Sequence, residues 1–113
     1  MAIEYLLWSP KHTHSSHCFM TFWGPNNAGY VFRMDWAGRY AEADVAAAPS
    51  YYDSGYGAVA VPAEFVLARA VPSMEESGEA LRVLNTPAMR QKIIRAAARA
   101  RRARQEKAPA NAE

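Results

Sequence analysis

The sequence has one cysteine, Cys18, and no apolar run long enough to span a bilayer. A single cysteine cannot form an internal disulfide bond, so a packed core must stabilise the fold. A spanning helix needs about 20 apolar residues, and the N-terminus lacks the basic and long apolar regions of a signal peptide. We therefore expect a cytoplasmic protein that has no membrane partner.

Motifs of common enzyme classes are also missing: there is no phosphate-binding Gly-rich loop, dinucleotide fingerprint or nucleophile elbow. His12, His14 and His17 precede Cys18, and imidazole and thiolate are the usual zinc ligands. However, no second ligand pair occurs elsewhere, and adjacent His17 and Cys18 would point to opposite faces of a strand. We expect no cofactor and no catalysis, and a zinc-dependent enzyme or zinc-stabilised fold is the weaker alternative.

The chain of 113 residues is half hydrophobic, which suits one small domain. Its large side chains concentrate in residues 19–40, FMTFWGPNNAGYVFRMDWAGRY. This stretch predicts two antiparallel strands, 19–23 and 30–34, joined by a loop at 24–29. Proline presets φ for the turn, and asparagine and glycine tolerate positive φ.

The flanking segments predict an α+β fold, a small antiparallel sheet of three to four strands with short helices packed on it. Residues 3–8 are apolar on both faces of a strand, as expected for an inner strand. Ser73 and Glu76 form a capping-box pattern that predicts a helix at 74–84. The remaining predicted elements are a strand at 58–61, helices at 42–48 and 63–70, and a turn-like segment at 50–57. The predicted divisions are a core domain at 1–72, a helical segment at 73–105 and a disordered tail at 106–113.

Charge is divided unevenly along the chain. Residues 1–85 carry five basic and nine acidic side chains, a net charge of −4, whereas residues 86–113 carry eight and two, a net charge of +6. Thr86 and Pro87 fit the N-cap and first position of a basic C-terminal helix over 87–105. The candidate contacts to an anionic partner are Arg90, Lys92, Arg95, Arg99, Arg101, Arg102 and Arg104.

The apolar stripe of this helix is thin, with only Met89 and Ile93 as sizeable groups. We therefore expect residues 88–113 to be dispensable for folding and needed for binding an anionic target. The alternative is a basic end that folds against the negative charge of the body.

The sequence W-G-P-N-N-A-G-Y at 23–30, followed by A-G-R-Y at 37–40, resembles a recurring pattern in small uncharacterised phage and prophage proteins. The resemblance covers roughly residues 5–62 and implies a shared fold in a bacterial host cell, with no activity or functional residue to carry over. Such proteins often place Thr where this chain has Ala41, so we expect the following helix to start less sharply.

These features of the sequence predict two alternative functions of different classes. The preferred interpretation is a non-catalytic binding or inhibitory module of a phage or mobile element that contacts a host protein or nucleoprotein complex, for example in an anti-defence role. Tyr51, Tyr52 and Tyr56 are its candidate contacts, because Tyr offers large area with few rotatable bonds, although they could equally cover the core edge. The alternative is a nucleic-acid-binding accessory protein whose basic helix contacts DNA or RNA.

Overall fold

The computed structural model describes residues 3–107 and confirms the α+β class. The strands are β1 (Glu4–Trp8), β2 (Phe22–Trp23), β3 (Tyr30–Val31), β4 (Tyr40–Ala41), β5 (Val59–Pro62), β6 (Val71–Glu75) and β7 (Gly78–Arg82). The α-helices are α1 (Glu42–Ala47), α2 (Pro49–Tyr52), α3 (Ala63–Leu67) and α4 (Pro87–Lys107). Within these residues, no helix has the length and apolar character needed to cross a bilayer.

The main sheet is antiparallel and is organised around β1. One edge of β1 pairs with β5 over four residues, from Tyr5 opposite Pro62 to Trp8 opposite Val59. Two strands share the other edge of β1: β4 pairs with the start of β1, and β2 pairs with the end of β1. The strand β3 pairs with the outer edge of β2. The sheet therefore has five strands. In this sheet, the strand that the sequence did not predict is β4, which is only two residues long.

Both faces of β1 are buried, as its apolar pattern predicts. The first cluster contains Leu6, Trp8, Met20, Phe22, Val66 and Ile93, among others. The second cluster, on the opposite face, contains Tyr5, Leu7, Trp23, Tyr40 and Val45, among others. The short helices close these faces, since α3 contributes Val66 to the first cluster and α1 contributes Val45 to the second.

The segments 23–30 and 37–40 form one interlocked unit. Gly38 lies so close to the loop at 24–29 that a Cβ there would be 2.5 Å from the carbonyl oxygen of Gly24. The hydroxyl of Tyr40 donates a hydrogen bond to that oxygen at 2.5 Å and accepts one from the backbone N–H of Asn27 at 2.9 Å. Asn27 has a φ of 60°, as the loop prediction requires. These contacts therefore fix the loop against the sheet.

The predicted hairpin at residues 19–34 is confirmed, but its strands are shorter than expected, since β2 and β3 pair over two residues each. Phe19 instead forms a bridge with Leu84, and the N–H of Met20 donates to the carbonyl of Val83 at 2.8 Å. The start of the predicted strand thus joins the hairpin to the segment that leads into α4.

The predicted helix at 74–84 is wrong, because β6 and β7 form a two-stranded antiparallel hairpin there. Gly78 begins the returning strand with a φ of 103°, which an α-helix does not allow. Ser73, expected to cap the helix, donates its hydroxyl to the carbonyl of Ala80 across the hairpin at 3.3 Å. The hairpin also crosses the predicted boundary at residue 72, so residues 73–105 are not a helical segment.

The helix α4 is confirmed, and its packing argues against the prediction that residues 88–113 are dispensable for folding, which only truncation would test. Ile93 and Ala97 are fully buried in the first cluster, where α4 lies against β5. Alanines let a helix approach a sheet closely, so one large residue among small ones is enough to dock it. Glu106 and Lys107, predicted to be disordered, belong to α4, and residues 108–113 lie outside the described residues.

The short helices agree less closely with the ranges predicted from the sequence. The helix α1 has the predicted start, and its N-cap Ala41 makes no side-chain capping hydrogen bond, as expected from the missing Thr. The helix α3 ends three residues before the predicted residue 70. The helix α2 forms in part of the segment predicted to be turn-like, with Pro49 in its first turn.

Candidate functional site

The seven basic side chains predicted to contact an anionic partner are divided between opposite sides of α4. Arg101 and Arg104 point inward to Asp53, whose side chain is 1% exposed. The distances to Asp53 Oδ2 are 2.8 Å from Arg101 Nε and 3.0 Å from Arg104 Nη2. Asp53 also accepts the backbone N–H of Ala60 at 3.0 Å. These two arginines therefore tie α4 to the body and are not free for a partner.

The environment of this ion pair suits a structural role. The side chain of Arg104 is 6% exposed, and its guanidinium lies 5.0 Å from the centre of the Tyr5 ring. The hydrogen bond to Asp53 raises the pKa of Arg101 above its ordinary value. A buried carboxylate needs such partners, since its desolvation is costly otherwise.

Arg90 also has an internal partner. Its Nη1 donates to Asn85 Oδ1 at 2.8 Å, directly before α4. The Nδ2 of Asn85 donates to the carbonyls of His14 and His17 at 3.1 Å each. This chain of hydrogen bonds fixes the start of α4 against the histidine-containing loop.

The other four basic residues, Lys92, Arg95, Arg99 and Arg102, are exposed and form what we call the basic stripe. Their spacing of three, four and three residues places them on one side of α4. The ion pairs within residues 3–107 include none of these four side chains. Arg99 does line a surface groove with Glu42 and Glu64. The basic stripe is therefore a positive surface that has no ion pair among the described residues, on a helix that the core holds in place.

Each histidine side chain takes part in a hydrogen bond or an aromatic contact within the protein. Nδ1 of His12 lies 3.0 Å from Ser9 Oγ, and the rings of His14 and His17 meet edge to face at 4.9 Å. Cys18 is exposed. Nowhere in residues 3–107 are three or more His, Cys, Asp or Glu side chains grouped so that they could hold a metal ion.

Two exposed rings pack against these histidines. The Tyr30 ring stacks on His12 at 3.9 Å between centroids, and the Phe32 ring meets His17 edge to face at 5.5 Å. Tyr30 is 50% exposed and Phe32 is 38% exposed. We call the group of His12, His17, Tyr30, Phe32 and Tyr56 the aromatic surface. We include Tyr56 because it is 65% exposed and its backbone lies beside this loop, where its carbonyl oxygen accepts the N–H of Lys11, next to His12, at 3.0 Å.

The other two tyrosine candidates contribute more to the core edge. Tyr52 is half-buried, packs on Tyr40 at 5.7 Å and accepts a hydrogen bond from Asn27 Nδ2 at 3.1 Å. Tyr51 is half exposed and meets the Trp23 ring edge to face at 5.3 Å. Of the three predicted contacts, only Tyr56 is free of such ring packing in the described part of the chain.

Sequence reasoning missed three polar residues that organise these surfaces: Asp53, Asn85 and Arg82. Arg82 is 1% exposed, and its guanidinium donates to Ser73 O at 2.8 Å and Ser77 Oγ at 2.7 Å. Its acceptors are carbonyl and hydroxyl oxygens, so it stabilises the β6–β7 turn without a carboxylate. The arginine partners of Asp53 and the loop carbonyls bound by Asn85 are 48 or more residues away in the sequence, so no local pattern marks them.

No protein-family model matches this sequence, and no curated protein and no solved structure is significantly similar to it.

Proposed function

We propose that this protein is a non-catalytic binding module that contacts a partner protein through the aromatic surface. The phage or mobile-element setting of the proposal, including an inhibitory role against a host protein or nucleoprotein complex, rests on the sequence resemblance alone. The single observation that carries the proposal is that exposed rings are held in place by histidines rather than buried in the core.

Rings in this arrangement favour binding. Exposed aromatic residues supply large contact areas and are enriched among the residues that dominate interface energies. Tyr30 and Phe32 are already packed on His12 and His17, so little side-chain freedom is lost when a partner covers them.

The supporting loop is also well ordered by hydrogen bonds. The hydroxyl of Thr13 accepts the indole N–H of Trp8 at 3.1 Å and the backbone N–H of Thr21 at 3.0 Å. The same hydroxyl donates to the carbonyl of Ser9 at 2.8 Å. The loop is therefore fixed to β1 at one end and, through Asn85, to the start of α4 at the other.

The test is capture of a partner from lysate of a bacterial host by the immobilised protein, with and without nuclease, followed by binding of the purified partner. We expect capture to survive nuclease treatment and moderate salt, because an aromatic contact depends little on counterion release. A Tyr30→Ser/Phe32→Ser variant should lose the partner.

The matched control is Met74→Ser/Leu81→Ser, which removes two exposed large side chains from the β6–β7 hairpin. The control variant should bind as the unmodified protein does. Loss of the partner on nuclease treatment, or equal loss in both variants, would contradict an aromatic protein contact.

A further inference from the structure

The geometry points to a second binding site: the basic stripe of α4 contacts the phosphate backbone of double-stranded nucleic acid. This inference is independent of the aromatic surface, because it rests on charge and helix geometry alone. Its four side chains, Lys92, Arg95, Arg99 and Arg102, are exposed, while the other arginines of α4, Arg90, Arg101 and Arg104, have hydrogen-bond or ion-pair partners within the protein.

Contacts within the protein do not explain the four positive charges of the basic stripe. The acidic groups that α4 uses are Asp53 and Glu42, and they bind Arg101, Arg104 and Lys107 on the inward side. The two carboxylates that form ion pairs with α4 are thus occupied by residues outside the basic stripe. Like charges three and four residues apart repel one another, so the basic stripe costs the free helix some stability. An anionic partner would remove that cost.

The dimensions suit a duplex. At 1.5 Å per residue, the ten-residue interval from Lys92 to Arg102 extends over about 15 Å of helix axis. Double-stranded DNA carries one negative charge per about 1.7 Å of its axis, so all four cations can reach a phosphate. Packing of Ile93 and Ala97 in the core fixes the helix, and with it the positions from which the four side chains extend.

The chemistry of α4 favours double strands over single strands. Proteins that bind single strands combine cations with aromatic rings on which the bases stack. The segment 87–107 contains no Phe, Trp or Tyr. Contacts to phosphates alone carry no sequence information, so binding should be independent of base sequence.

The experiment measures binding of a short fluorescent DNA duplex to the full chain across a salt series. If all four cations contact phosphates, log K should fall linearly with log salt with a slope of about −3.6, or roughly twelvefold for each doubling of salt. A labelled single strand of the same length should bind more weakly. A double-stranded RNA of the same length separates recognition of phosphates in general from recognition of B-form geometry.

Two matched variants remove the same charge from different surfaces. Arg95→Gln/Arg99→Gln should halve the slope to about −1.8, since two phosphate contacts are lost. Lys11→Gln/Arg39→Gln removes two exposed cations outside α4 and should leave the slope unchanged. Arg95→Lys/Arg99→Lys keeps the charge and should keep the slope.

Circular dichroism would show that each variant is folded, which is expected because the substituted side chains are exposed. Failure of the duplex to bind at low salt, equal losses in the two Gln variants, or binding of the single strand alone would overturn the inference. Such a result would leave the aromatic surface untouched, since its partner is detected after nuclease treatment.

Discussion

The two sides of α4 use the same kind of residue for opposite purposes. On the inward side, Arg101 and Arg104 pair with the buried carboxylate of Asp53 and hold α4 against the body. On the outward side, Arg95 and Arg99 are exposed and have no ion pair within residues 3–107. The role of an arginine on this helix is therefore set by what it faces.

Truncation should have the largest effect, because it removes the inward side completely. A chain ending at Thr86 loses Ile93 and Ala97 from the first cluster and leaves the Asp53 carboxylate without its arginines. Domains of this size are stable by only about 5 to 15 kcal/mol, so we expect loss of the fold. Thermal melting by circular dichroism checks this. A cooperative transition near that of the full chain would show that α4 is an appendage.

Removal of the carboxylate should have the next largest effect. Asp53→Ala leaves the guanidinium of Arg104 buried and unpaired, and breaking a buried pair in this way costs about 3 to 5 kcal/mol. Glu79→Ala removes the same charge from an exposed strand position and should change stability little. Urea unfolding of both variants gives the comparison, and equal midpoints would mean that the Asp53 pair contributes nothing.

Two adjacent isoleucines test the packing itself. Ile93 is fully buried and Ile94 is 43% exposed, so the same substitution to alanine tests the two sides of the helix. We expect Ile93→Ala to cost about 2 to 5 kcal/mol of unfolding free energy. We expect Ile94→Ala to cost a small fraction of that. Similar losses in the two variants would argue against the described orientation of α4.

The smallest effect should have the opposite sign. Arg95 lies three residues after Lys92 and four before Arg99, so Arg95→Gln removes repulsion worth about 0.2 to 0.5 kcal/mol per pair. We expect unchanged or slightly higher stability, and the difference should shrink as salt screens the charges. A clear loss of stability in urea unfolding would mean that Arg95 has a structural partner.

Several features of the fold could be predicted from residues that are close together in the sequence. The loop at 24–29 follows from its Pro, Asn and Gly residues, and the start of α4 follows from Thr86 and Pro87. The apolar pattern of β1 correctly places it inside the sheet. Each of these depends on local backbone preferences or on periodicity, which distant residues do not alter.

The β6–β7 hairpin shows where such signals fail. The Ser-x-x-Glu pattern at Ser73 favours a helix locally, but the turn at Gly78 and the buried guanidinium of Arg82 favour paired strands. The bridge from Phe19 to Leu84 then joins this segment to the main body. Contacts formed across the chain outweighed a local preference worth about 1 kcal/mol.

The sequence alone determined that the C-terminal helix is basic, because the count of charges needs no coordinates. Only the tertiary structure decided which of its side chains are available to a partner. Asp53 lies 48 residues before Arg101 in the chain, and no local pattern connects the two. Since a buried carboxylate must be neutralised where it lies, the packing of α4 on β5 selected Arg101 and Arg104 and left the basic stripe exposed.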